Sequence, residues 1–171
     1  MTTLILILRL VHLFAGIFWV GTAMFTSFFL APALATVGPA AGSVMAALER
    51  KRLMTALPTS ALAAMGSGLW LFWLDAVGTP QMYVRTHVGG AFAVGGVLAI
   101  LAFLLSMTVS RPSFLAVGRL SASLAAASTS TERDALTARL NLLRERGARS
   151  SKWAVAMLLG AVFCMAVARY L

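Results

Sequence analysis

Four long apolar segments alternate with shorter polar ones along the 171-residue chain. A helix that crosses a bilayer needs about 20 predominantly apolar residues. The segments that meet this length run from about 3 to 34, 53 to 74, 86 to 109 and 153 to 168. We therefore predict an all-α fold, a transmembrane four-helix bundle that forms a single domain over residues 1–171.

Prolines mark the expected ends and irregularities of these helices. Pro32 and Pro39 are expected to end the first helix, because proline lacks an amide donor and clashes with the preceding turn. Pro58 lies early in the second segment. At that position we expect either a kink or a later start of the helix.

The composition supports a membrane protein and explains the basic charge. Hydrophobic residues make up 60% of the chain and charged residues 11%, and the mean hydropathy is +0.90. Soluble domains carry about 25% charged residues. The basic residues that give the formal net charge of +9 lie mostly between the apolar segments. Attraction of these residues to an anionic bilayer surface explains the excess of positive charge. The predicted partner is the lipid bilayer, and nucleic acid is not expected.

The positions of lysine and arginine predict the orientation of the bundle. Four spans put both termini on one side and the segments 48–52 and 110–152 on the other. These segments hold three and eight of the 14 Lys and Arg residues, eleven together. Cytoplasmic loops carry an excess of these residues, so we predict cytoplasmic loops and extracytoplasmic termini.

The long cytoplasmic segment 110–152 is expected to contain a helix. Its Ser/Thr residues can cap a helix, and Leu136, Leu140 and Leu143 then recur at helical spacing beside a basic face. Such a helix could lie on the inner leaflet, extend the fourth span, or dock a redox partner or a larger membrane complex. A solvated basic helix without a partner is the plain alternative, and homo-oligomerisation is also left open.

Two histidines form the strongest candidate site in the sequence. His12 follows Arg9 by three residues, and His87 follows Arg85 by two. Ionisable side chains within spans are costly and usually functional. Since the first and third spans run in the same direction, both imidazoles are expected near the outer boundary at similar depth. We interpret both histidines as candidate metal ligands.

Haem b is the cofactor that this histidine pair suggests, because neutral imidazole is an axial ligand of haem iron. Gly16 and Gly90 thin the two helices beside the histidines, and Trp19 lies on the same helical face as the first of them. Arg9 and Arg85 are expected to bind the propionates, since guanidinium pairs with carboxylate through two hydrogen bonds. The predicted function is haem binding between the first and third spans, with electron transfer or haem handling as its purpose.

Simpler roles for these residues stay open. A histidine in a span can hydrogen-bond a neighbouring helix, glycines can serve close packing, and an arginine at a span end can extend to the headgroups. The nine methionines suggest copper, but they are scattered along the chain. Asp75 is expected near Arg85 and could pair with it, while the single Cys164 cannot form an internal disulfide.

Three stretches, "LVHLFAGIFWVGTAMFTSFFLAPAL", "LERKRLMTALP" and "RTHVGGAF", resemble the CopD-like and HemJ-like superfamily of small bacterial membrane proteins. The resemblance covers roughly residues 8–110 and implies a four-helix, multi-pass protein of the bacterial inner membrane. In HemJ-like protoporphyrinogen oxidases the first-helix histidine, here His12, is linked to haem binding and activity. These oxidases also open their third helix with His-x-Lys, whereas this chain has His87-Val88-Gly89.

The resemblance leaves several functions open beside haem-dependent electron transfer. A HemJ-like protoporphyrinogen oxidase and CopD-like copper transport are the two activities that it implies. A non-catalytic accessory subunit of a larger membrane complex is the third alternative. Whether the chain is an enzyme is not decided by its sequence.

Overall fold

The computed structural model describes residues 2–37, 40–77 and 80–171, and within them the chain forms helices and no strands. Six helices follow one another in this part of the chain: α1 (Thr2–Thr36), α2 (Ala40–Arg50), α3 (Leu53–Asp75), α4 (Pro80–Arg85), α5 (His87–Ala126) and α6 (Ser130–Tyr170). The expected all-α fold is confirmed for the described residues.

Four of these helices are long and apolar enough to cross a membrane: α1, α3, α5 and α6, with 35, 23, 40 and 41 residues. This confirms the prediction of four spanning-length apolar helices. At about 1.5 Å per residue, α5 and α6 are each roughly 60 Å long. The hydrocarbon core of a bilayer is about 30 Å thick, so both helices are about twice as long as a span requires.

The segment 110–152 is a helical hairpin in which only 127–129 lie outside a helix. Thr129 caps α6, since its hydroxyl oxygen accepts a hydrogen bond from the Glu132 amide at 3.3 Å. Of the three arrangements considered for this segment, the structure shows an extension of the fourth helix. We call this end of the bundle the hairpin end, and the end that carries both chain termini the terminal end.

The three leucines of the predicted apolar stripe, Leu136, Leu140 and Leu143, lie on the buried side of this hairpin. The continuation of α5, Arg111–Ala126, packs against the first half of α6. Leu140 is only 2% exposed, and Leu136 and Leu143 are partly buried. The apolar stripe that was expected to face a partner or a leaflet is therefore largely covered by the chain itself.

The four long helices form two antiparallel pairs. α1 packs most extensively on α3, and α5 on α6, while the contacts between the two pairs are smaller. Much of the core is alanine, with Trp19 and Leu158 as the large members. Small side chains let transmembrane helices approach closely. Trp19 meets Phe103 of α5 edge to face at a centroid distance of 6.3 Å, which fills the centre of the bundle.

Both α1 and α5 contain one π-helical turn followed at once by a proline-containing α-helical turn. The π-turns are Thr26–Leu30 and Ser106–Ser110. The expected helix end at Pro32 is wrong, because the helix continues to Thr36. The preceding π-turn pairs the Ala31 amide with the carbonyl of Thr26. This wider pairing places Pro32 at the start of a new α-helical segment, where a missing amide hydrogen is tolerated.

The remaining proline expectations have different outcomes. Helix α3 begins at Leu53 and contains Pro58, so the later start suggested by the sequence is not found. Pro39 lies outside the described residues.

Candidate functional site

His12 lies half-buried between α1 and α3 and makes one defined hydrogen bond. Its Nδ1 is 2.8 Å from the carbonyl oxygen of Ala64. A carbonyl oxygen can only accept, so Nδ1 carries the hydrogen and donates it. In the neutral ring this leaves the lone pair on Nε2. The contact with α3 thus fixes both the orientation and the tautomer of the imidazole.

Gly68 provides the space that the His12 ring occupies. A Cβ atom at Gly68 would lie 2.7 Å from Cε1 and 2.8 Å from Nδ1 of the ring, whereas a Cβ at Gly66 would meet no heavy atom within 4 Å. Any larger residue at position 68 would therefore displace the imidazole. Sequence reasoning missed Gly68 and the Ala64 carbonyl, although the run "AAMGSG" of small residues was a visible signal.

His87 is in a different environment. It is exposed and is the first residue of α5. The preceding Thr86 caps this helix, since its hydroxyl oxygen accepts from the Gly89 amide at 3.0 Å. His87 therefore lies at the outer tip of a helix, whereas His12 lies within the packed part of the bundle.

Serine contacts with α6 allow the depths of the two histidines to be compared. Ser27 hydrogen-bonds Ser151, and Ser110 hydrogen-bonds Ser150, so Ser27 and Ser110 lie at nearly the same height. His12 precedes Ser27 by 15 residues, and His87 precedes Ser110 by 23. The eight additional residues correspond to roughly 12 Å along the axis. The structure does not bring the two imidazoles to one depth, and it does not pair them.

The two arginines are exposed and lie near the terminal end. Arg9 precedes His12 by about one turn of α1. Arg85 ends α4 and lines an open depression of about 440 Å³ together with Pro80 and Val84. Neither arginine contacts the His12 ring through a hydrogen bond in the described residues, and their role as propionate ligands stays a prediction.

Asp75 lies near Tyr83 of α4. The pKa of the Tyr83 phenol is raised from its ordinary value of 10.0, first by partial burial and then by the negative charge of Asp75. The Tyr83 ring also meets Phe72 edge to face at 5.5 Å. This cluster fastens the short helix α4 to the end of α3.

The glycines at the start of α5 serve packing. A Cβ at Gly89 would collide with the carbonyl oxygen of Tyr83, and a Cβ at Gly90 would lie 3.2 Å from that of Val84. Both positions therefore allow α4 to lie against α5. Gly16 differs, because a Cβ there would meet no heavy atom within 4 Å.

The Trp19 side chain is 7% exposed and packs against the ring of Phe103. Of the residues proposed to surround a macrocycle, only Gly16 has open space beside it and lies one turn from His12.

A multi-ligand metal centre is not formed by the described part of the chain. Residues 2–37, 40–77 and 80–171 contain no group of three or more His, Cys, Asp or Glu side chains that could hold a metal ion. Cys164 is partly buried and lies beside Gly95 in the α5–α6 interface. The chemistry that the site offers is that of one imidazole with a fixed tautomer.

Comparison of this chain with protein-family models, curated proteins and solved structures found no match. The resemblance to the CopD-like and HemJ-like proteins therefore rests on the quoted sequence stretches alone.

Proposed function

We propose that this chain is an integral protein of the bacterial inner membrane that binds haem b through His12 and serves electron transfer or haem handling. The observation that carries the proposal is the hydrogen bond from His12 Nδ1 to the Ala64 carbonyl oxygen at 2.8 Å. Metal-ligating histidines usually donate their second ring hydrogen in this way, which orients the ring and raises its basicity. Nε2 would then be the iron ligand.

The residues around His12 fit this group in their chemistry. A half-buried neutral imidazole is the donor that haem iron takes, and Gly16 leaves space on the same helix. Arg9, one turn nearer the terminal end, is suited to a propionate because its guanidinium can form two parallel hydrogen bonds. When bound, haem supplies one-electron redox chemistry.

A single axial histidine replaces the histidine pair in this proposal. His87 lies roughly 12 Å farther along the bundle axis, by the residue count given above, and is exposed. Of the two histidines, His12 alone would therefore hold the iron. The basic hairpin end is proposed to lie in the cytoplasm and both termini outside, since eleven of the 14 Lys and Arg residues fall in the two connecting segments.

The test compares the absorption spectra of His12→Ala and His87→Ala, each purified from haem-replete membranes. We expect the wild type and His87→Ala to show the same Soret band per protein and His12→Ala to lose it, because only Nε2 of His12 ligates the iron. Size-exclusion profiles check that each variant is folded. A wild type without a Soret band, or equal losses in both variants, would contradict the proposal.

A non-catalytic membrane subunit is the second candidate, and the same hydrogen bond favours it. The His12–Ala64 contact joins α1 to α3, and interhelical hydrogen bonds in membranes contribute about 0.6 kcal/mol on average. His12→Gln separates the two functions, because a glutamine amide can donate to the carbonyl but does not replace imidazole as an iron ligand. If the wild type binds haem and His12→Gln loses it while keeping its stability, His12 is a ligand. If the wild type binds no haem and His12→Gln keeps its stability, His12 is a structural contact between α1 and α3.

The HemJ-like oxidase is less favoured than either candidate. Its third helix carries a lysine where this chain has Gly89, and a Cβ at Gly89 would collide with the Tyr83 carbonyl oxygen. The packing of α4 on α5 therefore leaves no space for a lysine side chain at this position. CopD-like copper transport has no multi-ligand group to support it among the described residues.

A further inference from the structure

A cavity of about 330 Å³ opens between α5 and α6 at the hairpin end. One wall is apolar and consists mainly of Leu105 and Val109 of α5 and Trp153 of α6. Arg146 and Arg149 of α6 line the cavity on the side nearer the hairpin end. The proposed haem site lies toward the terminal end, so this cavity is a separate feature.

We propose that this cavity binds an anionic phospholipid of the surrounding bilayer. Arg146 and Arg149 bind the headgroup phosphate, and an acyl chain lies along the apolar wall. The proposal does not depend on the haem proposal, because the two sites share no residue.

The charge of the cavity matches a phosphate. Arg146 and Arg149 are three residues apart on α6, so their side chains project from the same face of the helix. Both are exposed, and Glu145 is the one acidic residue at the rim. Guanidinium groups bind phosphate oxygens through paired hydrogen bonds, and basic pockets between transmembrane helices bind anionic headgroups.

The position of the cavity along the bundle matches the boundary of a bilayer. Trp153 begins the apolar run of α6 and is 62% exposed, and tryptophan is enriched at membrane–water interfaces. Arg149 lies about one helical turn farther toward the hairpin end, roughly 6 Å along the axis. A lipid whose chain contacts Trp153 would therefore have its headgroup beside the arginines.

The wall on α5 is held in place by its π-turn. Val109 belongs to the turn Ser106–Ser110. Ser110 hydrogen-bonds Ser150 of α6 at 2.9 Å, and both serines are buried. The cavity is thus bordered by a hydrogen-bonded junction of the two helices. The apolar wall distinguishes this site from one for a free phosphate ion, which would gain nothing from Leu105 and Val109.

The experiment measures lipid binding to the full-length protein, delipidated in a non-ionic detergent, by native mass spectrometry. Phosphatidylglycerol and phosphatidylcholine with identical acyl chains are titrated separately. Both lipids carry a phosphodiester, but only phosphatidylglycerol has a net negative charge, because the quaternary ammonium of phosphatidylcholine offsets its phosphate. We therefore expect phosphatidylglycerol to bind the wild type about tenfold more tightly beside the two arginines. Equal affinity for the two lipids would overturn the proposal.

A matched pair of double variants locates the site. R146Q/R149Q is expected to lower the affinity for phosphatidylglycerol about tenfold. R139Q/R144Q removes the same charge from exposed positions of the same helix outside the cavity, and we expect it to change the affinity less than about twofold. Equal losses would show that only overall charge matters and would overturn the site. Circular dichroism checks that all variants keep their helix content.

Two further arms identify the source of the phosphate. Trp153→Ala is expected to weaken binding of both lipids by a similar factor, because it removes acyl-chain contact and leaves the charges. Inorganic phosphate at millimolar concentration is expected not to displace phosphatidylglycerol. Full displacement by inorganic phosphate, or a Trp153→Ala variant that binds both lipids as the wild type does, would overturn the assignment to a lipid.

Discussion

The α1–α3 pair and the α5–α6 pair use glycine for opposite purposes. In the α5–α6 pair, Gly95 lets two backbones approach, because a Cβ there would lie 3.1 Å from the carbonyl oxygen of Ala161. In the α1–α3 pair, Gly68 makes room for the His12 ring, whose Cε1 would be 2.7 Å from an added Cβ. One interface packs backbone against backbone, and the other encloses an imidazole.

This difference shows how a glycine in a transmembrane helix has to be interpreted. Its function is decided by the group that occupies the place of the missing Cβ. At Gly89 and Gly90 that group is a backbone carbonyl of α4, as in close helix packing. At Gly68 it is a side chain with coordination chemistry, so this glycine belongs to the candidate site.

The largest expected effect on stability comes from Gly95→Ala, with Gly96→Ala as its neighbour control. The added methyl at position 95 is crowded by Ala161, Met165 and Cys164, whereas a Cβ at position 96 meets no heavy atom within 4 Å. Overpacking of this kind costs about 1–3 kcal/mol, and the higher helix propensity of alanine offsets about 1 kcal/mol of it, a gain that Gly96→Ala receives without the crowding. Unfolding by denaturant in detergent micelles should show this loss for Gly95→Ala only. Equal stabilities would mean that α5 and α6 are not in backbone contact there.

Gly68→Ala should have a smaller effect on stability and a large effect on the site. The His12 ring has to rotate away and lose the Ala64 hydrogen bond, at a cost of about 0.6 kcal/mol. Haem content per protein is expected to fall to the level of His12→Ala, because the ring is no longer oriented. Gly66→Ala is the control, with open space around it. If both alanine variants keep full haem content, Gly68 does not position the ligand.

The sequence predicted the elements well and the relations between them poorly. Hydropathy alone indicates four spanning helices, because each apolar run is long enough to be recognised by itself. The hydrogen-bond partner of His12 depends on which residue of α3 faces it. This register between the two helices is set by side-chain packing and cannot be read from the hydropathy pattern. The matched-depth expectation for His87 has a different weakness, because His87 is the first residue of α5 whereas His12 lies ten residues after the start of α1. The continuation of α5 to Ala126 was missed because the long apolar run ends at Val109, although Val117, Leu120 and Leu124 recur at helical spacing.

Ser27→Ala tests the connection between the two pairs. Its hydroxyl bonds Ser151 of α6, whereas Ser110 bonds Ser150 within one pair. We expect each serine-to-alanine change to cost about 0.6 kcal/mol. A double-mutant cycle of Ser27→Ala with Ser151→Ala should recover most of this as coupling energy, and Ser27→Ala with Ser150→Ala should be additive. Coupling in the second cycle only would place α1 in a different register.

The smallest effect is expected at Tyr83, in the connection between the two pairs at the terminal end. The chain has two tyrosines, so Tyr170→Phe leaves Tyr83 as the only phenol, and its absorbance titration should give a pKa above 10.0, raised by burial and by Asp75. Asp75→Asn should move this pKa toward its ordinary value. Tyr83→Phe in turn leaves Tyr170, which is 80% exposed and serves as the reference phenol.

The direction of the pH effect follows from the raised pKa. The folded state holds the Tyr83 proton more tightly than the unfolded chain, so the stabilisation is complete below pH 10 and is lost as the pH rises through the titration range. Unfolding measurements at increasing alkaline pH should therefore show a steeper loss in the wild type than in Tyr83→Phe. Identical slopes would mean that the phenol is as solvated in the folded protein as in the unfolded chain.

The two π-turns determine how the chain tolerates changes in its length. A π-turn holds one residue more than an α-helical turn, so losing one residue there restores ordinary α-helix and leaves the downstream residues facing nearly as before. The same loss within an α-helical stretch rotates everything downstream by about 100°. In α5 a deletion within Ser106–Ser110 would therefore leave Ser113 in its place against Gly147, whereas a deletion just after this turn would rotate the rest of the continuation Arg111–Ala126 away from α6. The two π-turns are thus the positions at which these helices best tolerate the loss of one residue.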